Sequence, residues 1–121
     1  MMPVEIERQS ALQVEVEVPS SSIVVVRLFG AADADQVEVL TRQLESAARR
    51  NPRFAILDLA GLNFVSSAAL GCLEEFRREQ CWRGSEVWLA GLKPAVWLAL
   101  RSAGLDGRFP VHDSVAQVFA R

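Results

Sequence analysis

The run Ile56-Leu57-Asp58-Leu59, followed eight residues after Asp58 by Ser66-Ser67 and then by a helical apolar pattern, constrains this chain more than any other feature. Phe54-Ala55-Ile56-Leu57 is a continuous apolar run of strand length, and from Ala68 to Arg83 the residues Ala69, Leu70, Leu73 and Phe76 mark one face of a helix. A short polar stretch with Gly61 and Asn63 separates the two and reads as a loop. Strand, loop and helix in this order set a serine hydroxyl at a helix entrance. There its oxygen caps a free backbone N–H, and the same N–H groups and the helix dipole favour an anion, including a phosphate carried by that serine. Cap and phosphoacceptor share one sequence signature.

The rest of the chain repeats the alternation. Leu12-Gln13-Val14-Glu15-Val16-Glu17-Val18 has period two, the mark of a half-buried strand, and Pro19-Ser20-Ser21-Ser22 turns it into the more apolar Ile23–Phe29. The pair predicts an antiparallel edge hairpin. After Gly30, Asp33 and Asp35 precede a helix with Val37, Leu40, Leu44 and Ala47 or Ala48 inward, and Asn51-Pro52 stops it. A strand over Glu86–Leu92, a short helix from Pro94 to Ala103 ended by Gly104, a strand at Phe109–Val111 and a last helix capped by Asp113 or Ser114 complete the chain. In that last helix Val115, Val118 and Phe119 share one side. The expected fold is one α/β domain over residues 12–120, a mainly parallel mixed sheet with an antiparallel N-terminal edge hairpin and helices packed on it, preceded by an extension of residues 1–11.

Composition narrows the function classes. At 121 residues the chain holds one core, and its half share of hydrophobic residues excludes disorder. The apolar stretches are interrupted before the ~20 residues that a membrane span needs, and the acidic start Val4-Glu5-Ile6-Glu7 lacks the character of a secretory leader, so direct membrane insertion is not expected and a cytoplasmic location is. A net charge of −2 argues against nucleic acid, and Arg49-Arg50 sits where cations complement the end of a helix. Cys72 and Cys81 fall on one helix about 13 Å apart at ~1.5 Å per residue, too far for a disulfide, and neither has a neighbouring Cys or His at metal-ligand spacing. Packing is the role expected of both, and no cofactor or metal is predicted. An esterase-like reading would need Ser66 or Ser67 to meet His112 across the fold, with neither a nucleophile elbow nor a phosphate-cradling glycine loop in the sequence. No enzyme is predicted.

Three motifs in order resemble the STAS domain family, which includes bacterial anti-sigma factor antagonists and the cytosolic domains of sulfate-type anion transporters. They are Gly30-Ala31-Ala32-Asp33, then Ile56-Leu57-Asp58-Leu59 with Ser66-Ser67-Ala68-Ala69-Leu70, then Lys93-Pro94 through Ala103-Gly104-Leu105. The resemblance implies that Ser67 stands at the family's phosphoacceptor position and Ser66 at the place of the family's preceding Asp, with Ser66 the weaker acceptor candidate. It also implies a regulatory role in transcription: the unphosphorylated surface binds an anti-sigma factor kinase, phosphate on the serine breaks that contact, and a phosphatase restores it. Ala69 stands where the family has glycine. Candidate partner-binding residues are Asp33, Ser66, Ser67, Glu74, Arg77, Arg78 and Trp97, with Glu75 on the same helix. The alternative is a soluble STAS subunit of a lipid or anion transport system, prompted by Trp97 and Leu98, which make the third helix more apolar than one core-facing stripe requires. A homodimer is compatible with either.

Overall fold

The computed structural model describes residues 11–120; all of the expected extension except Ala11 lies outside that range. Two antiparallel strands open the chain, β1 (Leu12–Ser20) and β2 (Ile23–Ala32), paired from Leu12 opposite Gly30 to Ser20 opposite Ile23. A 3₁₀ turn (Ala34–Gln36) leads into α1 (Val37–Ala48), and β3 (Phe54–Val65), α2 (Ser67–Trp82), β4 (Glu86–Ala90), α3 (Pro94–Ser102), β5 (Val111–His112) and α4 (Val115–Phe119) follow. The strands lie in sequence order, with every pair after the first parallel. Successive right-handed crossovers that step one strand each time place α1, α2 and α3 on the same face.

Side-chain alternation sorts the two faces. Val24, Val26 and Leu28 of β2, Ala55, Leu57 and Leu59 of β3, and Val87 and Leu89 of β4 meet Leu40, Leu44, Leu73, Phe76, Val96 and Leu100 of the three helices in the main core. Val25, Ile56 and Ala90 point the other way, under Val118 of α4. On that second face Trp88 stacks between Phe54 and His112, with ring centroids 5.4 and 5.1 Å away. Towards β1 the same face is polar, where Arg27 pairs with Glu17 and with Asp58, the latter at 3.3 Å.

The stretch read from sequence as a loop, with Gly61 and Asn63, is strand in the structure. β3 runs twelve residues because its pairing with β2 slips twice, between Arg27 and Phe29 and between Gly30 and Ala31. Each slip adds one residue to β3, so the inward positions run Leu57, Leu59, Leu62, Val65 rather than at every second residue, and all four are buried. This broken alternation hides the strand from a period-two search. Asp58 steadies the first slip by accepting the Ala60 N–H at 3.1 Å. Gly61 completes it, since a Cβ there would run into the Phe29 ring and lie 3.2 Å from the Leu28 carbonyl oxygen.

Smaller differences have equally local causes. The first helix is preceded by a 3₁₀ turn that Asp33 caps, and it ends at Ala48, after which Asn51, with a φ of 52°, redirects the chain before the buried Pro52. The final strand is Val111–His112 rather than Phe109–Val111, because Phe109 turns inward and is buried. Ser114, not Asp113, caps α4, accepting the Gln117 N–H at 3.0 Å, while Phe119 is exposed. Cys72 is half-buried as packing requires, but Cys81 is exposed, and its neighbour Gln80 takes the buried position.

One ion-pair cluster ties α2 to the segment before β5. Glu74 accepts two hydrogen bonds from Arg77, both 2.9 Å, and one from Arg108 at 3.1 Å, while the Arg77 guanidinium lies 5.8 Å over the Phe109 ring. These bonds, Arg77's first, hold the Glu74 carboxyl below the usual carboxylate range. Among the described residues no helix is long and apolar enough to cross a membrane.

Two expectations follow from this packing. Gly61→Ala should lower stability by about 1–3 kcal/mol in denaturant titrations, and Phe29→Ala in the same chain should relieve most of the added penalty. Glu74 contributes stability in full above its unfolded pKa and loses it as pH falls through the depressed folded value. Glu74→Gln should therefore reduce stability at neutral pH and flatten its fall on acidification, measured as melting temperature against pH.

Candidate functional site

The carboxyl ends of β2 and β3 stop side by side, with Ala32 opposite Val65, and the Ser66 N–H closes the corner on the Ala32 carbonyl at 2.9 Å. Asp33 and the serine pair leave the sheet at that corner. The loops that gather at this end of a parallel sheet are where α/β folds place their binding surfaces.

The two serines have different surroundings. Ser66 is extended (φ −81°, ψ 165°) and half-buried, and its Oγ accepts the Ala69 N–H at 3.1 Å, so Ser66 is the N-cap of α2. Its carbonyl accepts the Leu70 N–H at 2.9 Å. Ser67 is the first helical residue, is exposed, and has no hydrogen bond to its hydroxyl among the described residues. Of the two serines, Ser66 thus takes the capping role. Ala69 is buried, so its Cβ points into the core and leaves the entrance open.

Asp33 is exposed at the same corner and is the cap of the 3₁₀ turn, with Oδ1 accepting the Ala34 N–H at 2.8 Å. Its carbonyl accepts the Gln36 N–H at 2.9 Å. Both acidic and hydroxyl side chains of the corner are therefore fixed by local backbone bonds, except the Ser67 hydroxyl.

The other sequence-selected residues lie elsewhere. Glu74 and Arg77 are engaged with each other and with Arg108 and Phe109. Arg78 is exposed eleven residues beyond Ser67, about 16 Å along the helix at ~1.5 Å per residue, in the company of Glu75, Glu79 and Trp82. Trp97 is half-buried against the main core, and its free side borders an open depression of about 350 Å³ with Pro94, Val111 and His112. Leu98, at 64% exposure, is the outward apolar residue of α3. His112 lies against Trp88, on the sheet face opposite the three helices, so it does not complete a catalytic pair with the serines.

Three residues that were not among the candidate partner-binding residues join the corner: Phe64, Asn63 and Lys93. Phe64, at 49% exposure, stands two residues before the cap, turned outward by the second slip in β3. Lys93, the sole lysine of the chain, donates to the Asn63 Oδ1 at 2.6 Å and so links the entry of α3 to the end of β3. Reading 60–65 as a loop concealed both Asn63 and Phe64. A large aromatic two residues before a polar helix cap was the available signal for Phe64, because a loop that buries nothing has no use for it.

The site therefore offers one free hydroxyl at a helix N-terminus, an exposed aromatic ring, a carboxylate and a tethered lysine. Among the described residues no group of three His, Cys, Asp or Glu side chains could hold a metal ion.

In sequence and in fold the chain is similar to known proteins. An anti-sigma F factor antagonist of Paenibacillus polymyxa is 28% identical over 104 residues, which are 85% of this chain and 88% of that protein. The fold matches the crystal structure of an anti-sigma factor antagonist from Mycobacterium paratuberculosis with a TM-score of 0.80, at 20% identity over 90% of this chain and 92% of that one. It also matches the anti-sigma factor antagonist SpoIIAA in its unphosphorylated form, with a TM-score of 0.77 and 22% identity over 88% and 93% of the two chains. The STAS domain model covers residues 13–118, which takes in the five strands except Leu12 and the last helix except Phe119, and the chain belongs to the STAS domain family.

Proposed function

We propose that this chain is an anti-sigma factor antagonist whose α2 entrance docks a kinase-type anti-sigma factor, and that Ser67 accepts the phosphate that ends the contact. The observation that carries the reading is the division of labour between the serines: Ser66 caps the helix, which leaves the Ser67 hydroxyl exposed and unengaged. STAS domains are regulatory domains rather than catalysts, and the acceptor here needs no catalytic partner of its own.

The local physics favours such a switch. A phosphate on Ser67 adds about −1.5 to −2 charges at a helix N-terminus, where free N–H groups and the dipole tolerate it, so the domain keeps its fold. The same charge and bulk stand on the docking surface, beside Phe64 and Asp33, and expel a partner whose facing surface is acidic or closely fitted. Phe64 supplies the apolar anchor that such an interface needs. A phosphatase would restore the binding form, and the whole cycle belongs in the cytoplasm. The transport reading rested on an apolar patch at Trp97 and Leu98; with Trp97 packed on the core, Leu98 alone keeps most of its surface open.

Binding of the source organism's anti-sigma factor kinase, measured by calorimetry, should persist in Ser67→Ala and fall at least about tenfold in Ser67→Asp, a change of ~1.4 kcal/mol. Phosphate transferred by that kinase should map to Ser67. Ser66→Ala should instead lower stability by about 0.5–2 kcal/mol while retaining the contact. Equal affinity of the Ala and Asp variants would contradict the proposal.

A further inference from the structure

Beside the serine corner, α1 and α2 leave a groove of about 360 Å³ open to solvent. Small residues line it, Ala48 at the end of α1 and Ala68 and Gly71 in the first turns of α2, and a Cβ placed on Gly71 would touch nothing within 4 Å. Glycine within a helix is unfavourable by about 1 kcal/mol relative to alanine, and here it holds open space that a side chain would fill. Three exposed carboxylates edge the groove, Glu45 from α1 and Glu75 and Glu79, one turn apart, from α2. None forms an ion pair among the described residues. Of the neighbouring arginines, Arg83 is turned to the Ala48 carbonyl at 3.5 Å, and Arg78 lies in the adjoining depression with Trp82. Trp82, at 91% exposure, ends the same helix.

We infer that this groove is a second docking surface, which takes a basic amphipathic helix of a partner protein. The shape admits a narrow stripe of small apolar side chains, and carboxylates on both edges call for Arg or Lys on both flanks of that stripe. A small molecule fits less well, because the walls bring few polar groups to a common point. The surface borders the first turn of α2 through Ala68, yet its charge logic is opposite to that of the phosphoserine switch. Phosphate on Ser67 adds to the negative potential that attracts a basic helix, so a partner held in the groove stays bound when the anti-sigma factor leaves.

The test is titration of the full chain with a synthetic helical peptide of alanine and leucine carrying arginine on both flanks, followed by amide chemical shifts and Trp82 fluorescence. Saturable binding is expected, with shifts at Glu45, Ala48, Ala68, Gly71, Glu75 and Glu79 and with affinity falling as salt rises. Gly71→Phe, which fills the groove, and Glu75→Arg combined with Glu79→Arg should each weaken binding at least about tenfold while circular dichroism and melting stay near wild type. Ser67→Asp should bind the peptide as tightly as wild type or more so, whatever it does to the anti-sigma factor, so this arm separates the groove from the switch. Unsaturable binding, shifts elsewhere, equal binding of a peptide with glutamate flanks, or unchanged affinity in a folded charge-reversed variant would overturn the inference. So would a concentration-dependent dimer that Gly71→Phe abolishes, since the groove would then hold a second copy of the chain.

Discussion

The double slip of β3 against β2 is the constraint on which the rest of this structure depends. A strand of strict alternation that kept Leu57 and Leu59 inward would next turn Gly61 and Asn63 to the core. Adding one residue twice brings Leu62 and Val65 inward instead, extends the strand to the corner beside Ala32, and delivers Ser66 to the start of α2. Asp58 on the Ala60 N–H and the ring of Phe29 over Gly61 hold the first slip in place. The functional corner is thus set by the sheet, not by a free loop.

That origin explains how two adjacent serines come to differ. The corner fixes Ser66 in an extended conformation whose hydroxyl meets the Ala69 N–H, and the helix that follows turns Ser67 outward, its hydroxyl unbonded among the described residues. One residue secures the helix end, and the next keeps an exposed hydroxyl. Phe64, pushed outward by the second slip, gives the same surface an exposed apolar ring without loosening the core. The switch proposed for this capped helix end would act through charge and shape, with no part of the core having to move.

Much of this was legible in the residues themselves. Period-two alternation located β1, continuous apolar runs located β2, the first half of β3 and β4, and the spacing of Leu40 with Leu44 and of Leu70, Leu73 and Phe76 located the first two helices. What escaped followed from tertiary geometry. The slips erased the alternation of residues 60–65; the motif set Ser67 apart from Ser66, but which serine caps the helix depends on how the corner orients them; and Gln80, polar and one position from Cys81, lies buried where the apolar pattern named no residue. Charged residues on α2 looked alike in sequence, yet Arg108 and Phe109, more than thirty residues on, draw Glu74 and Arg77 into a structural cluster and leave Glu75 and Glu79 free at the groove.

The central claim is that phosphate on Ser67 changes the surface of a domain that does not otherwise change. The most direct measurement is the amide spectrum of the chain carrying phosphoserine at position 67, compared residue by residue with the unmodified chain. Shifts confined to Asp33 and its turn, to Asn63 and Phe64, and to the first turn of α2 are predicted, with the core strands β2 and β4 unmoved. Shifts spread across the sheet and α1 would show that the modification refolds the domain and would contradict the account.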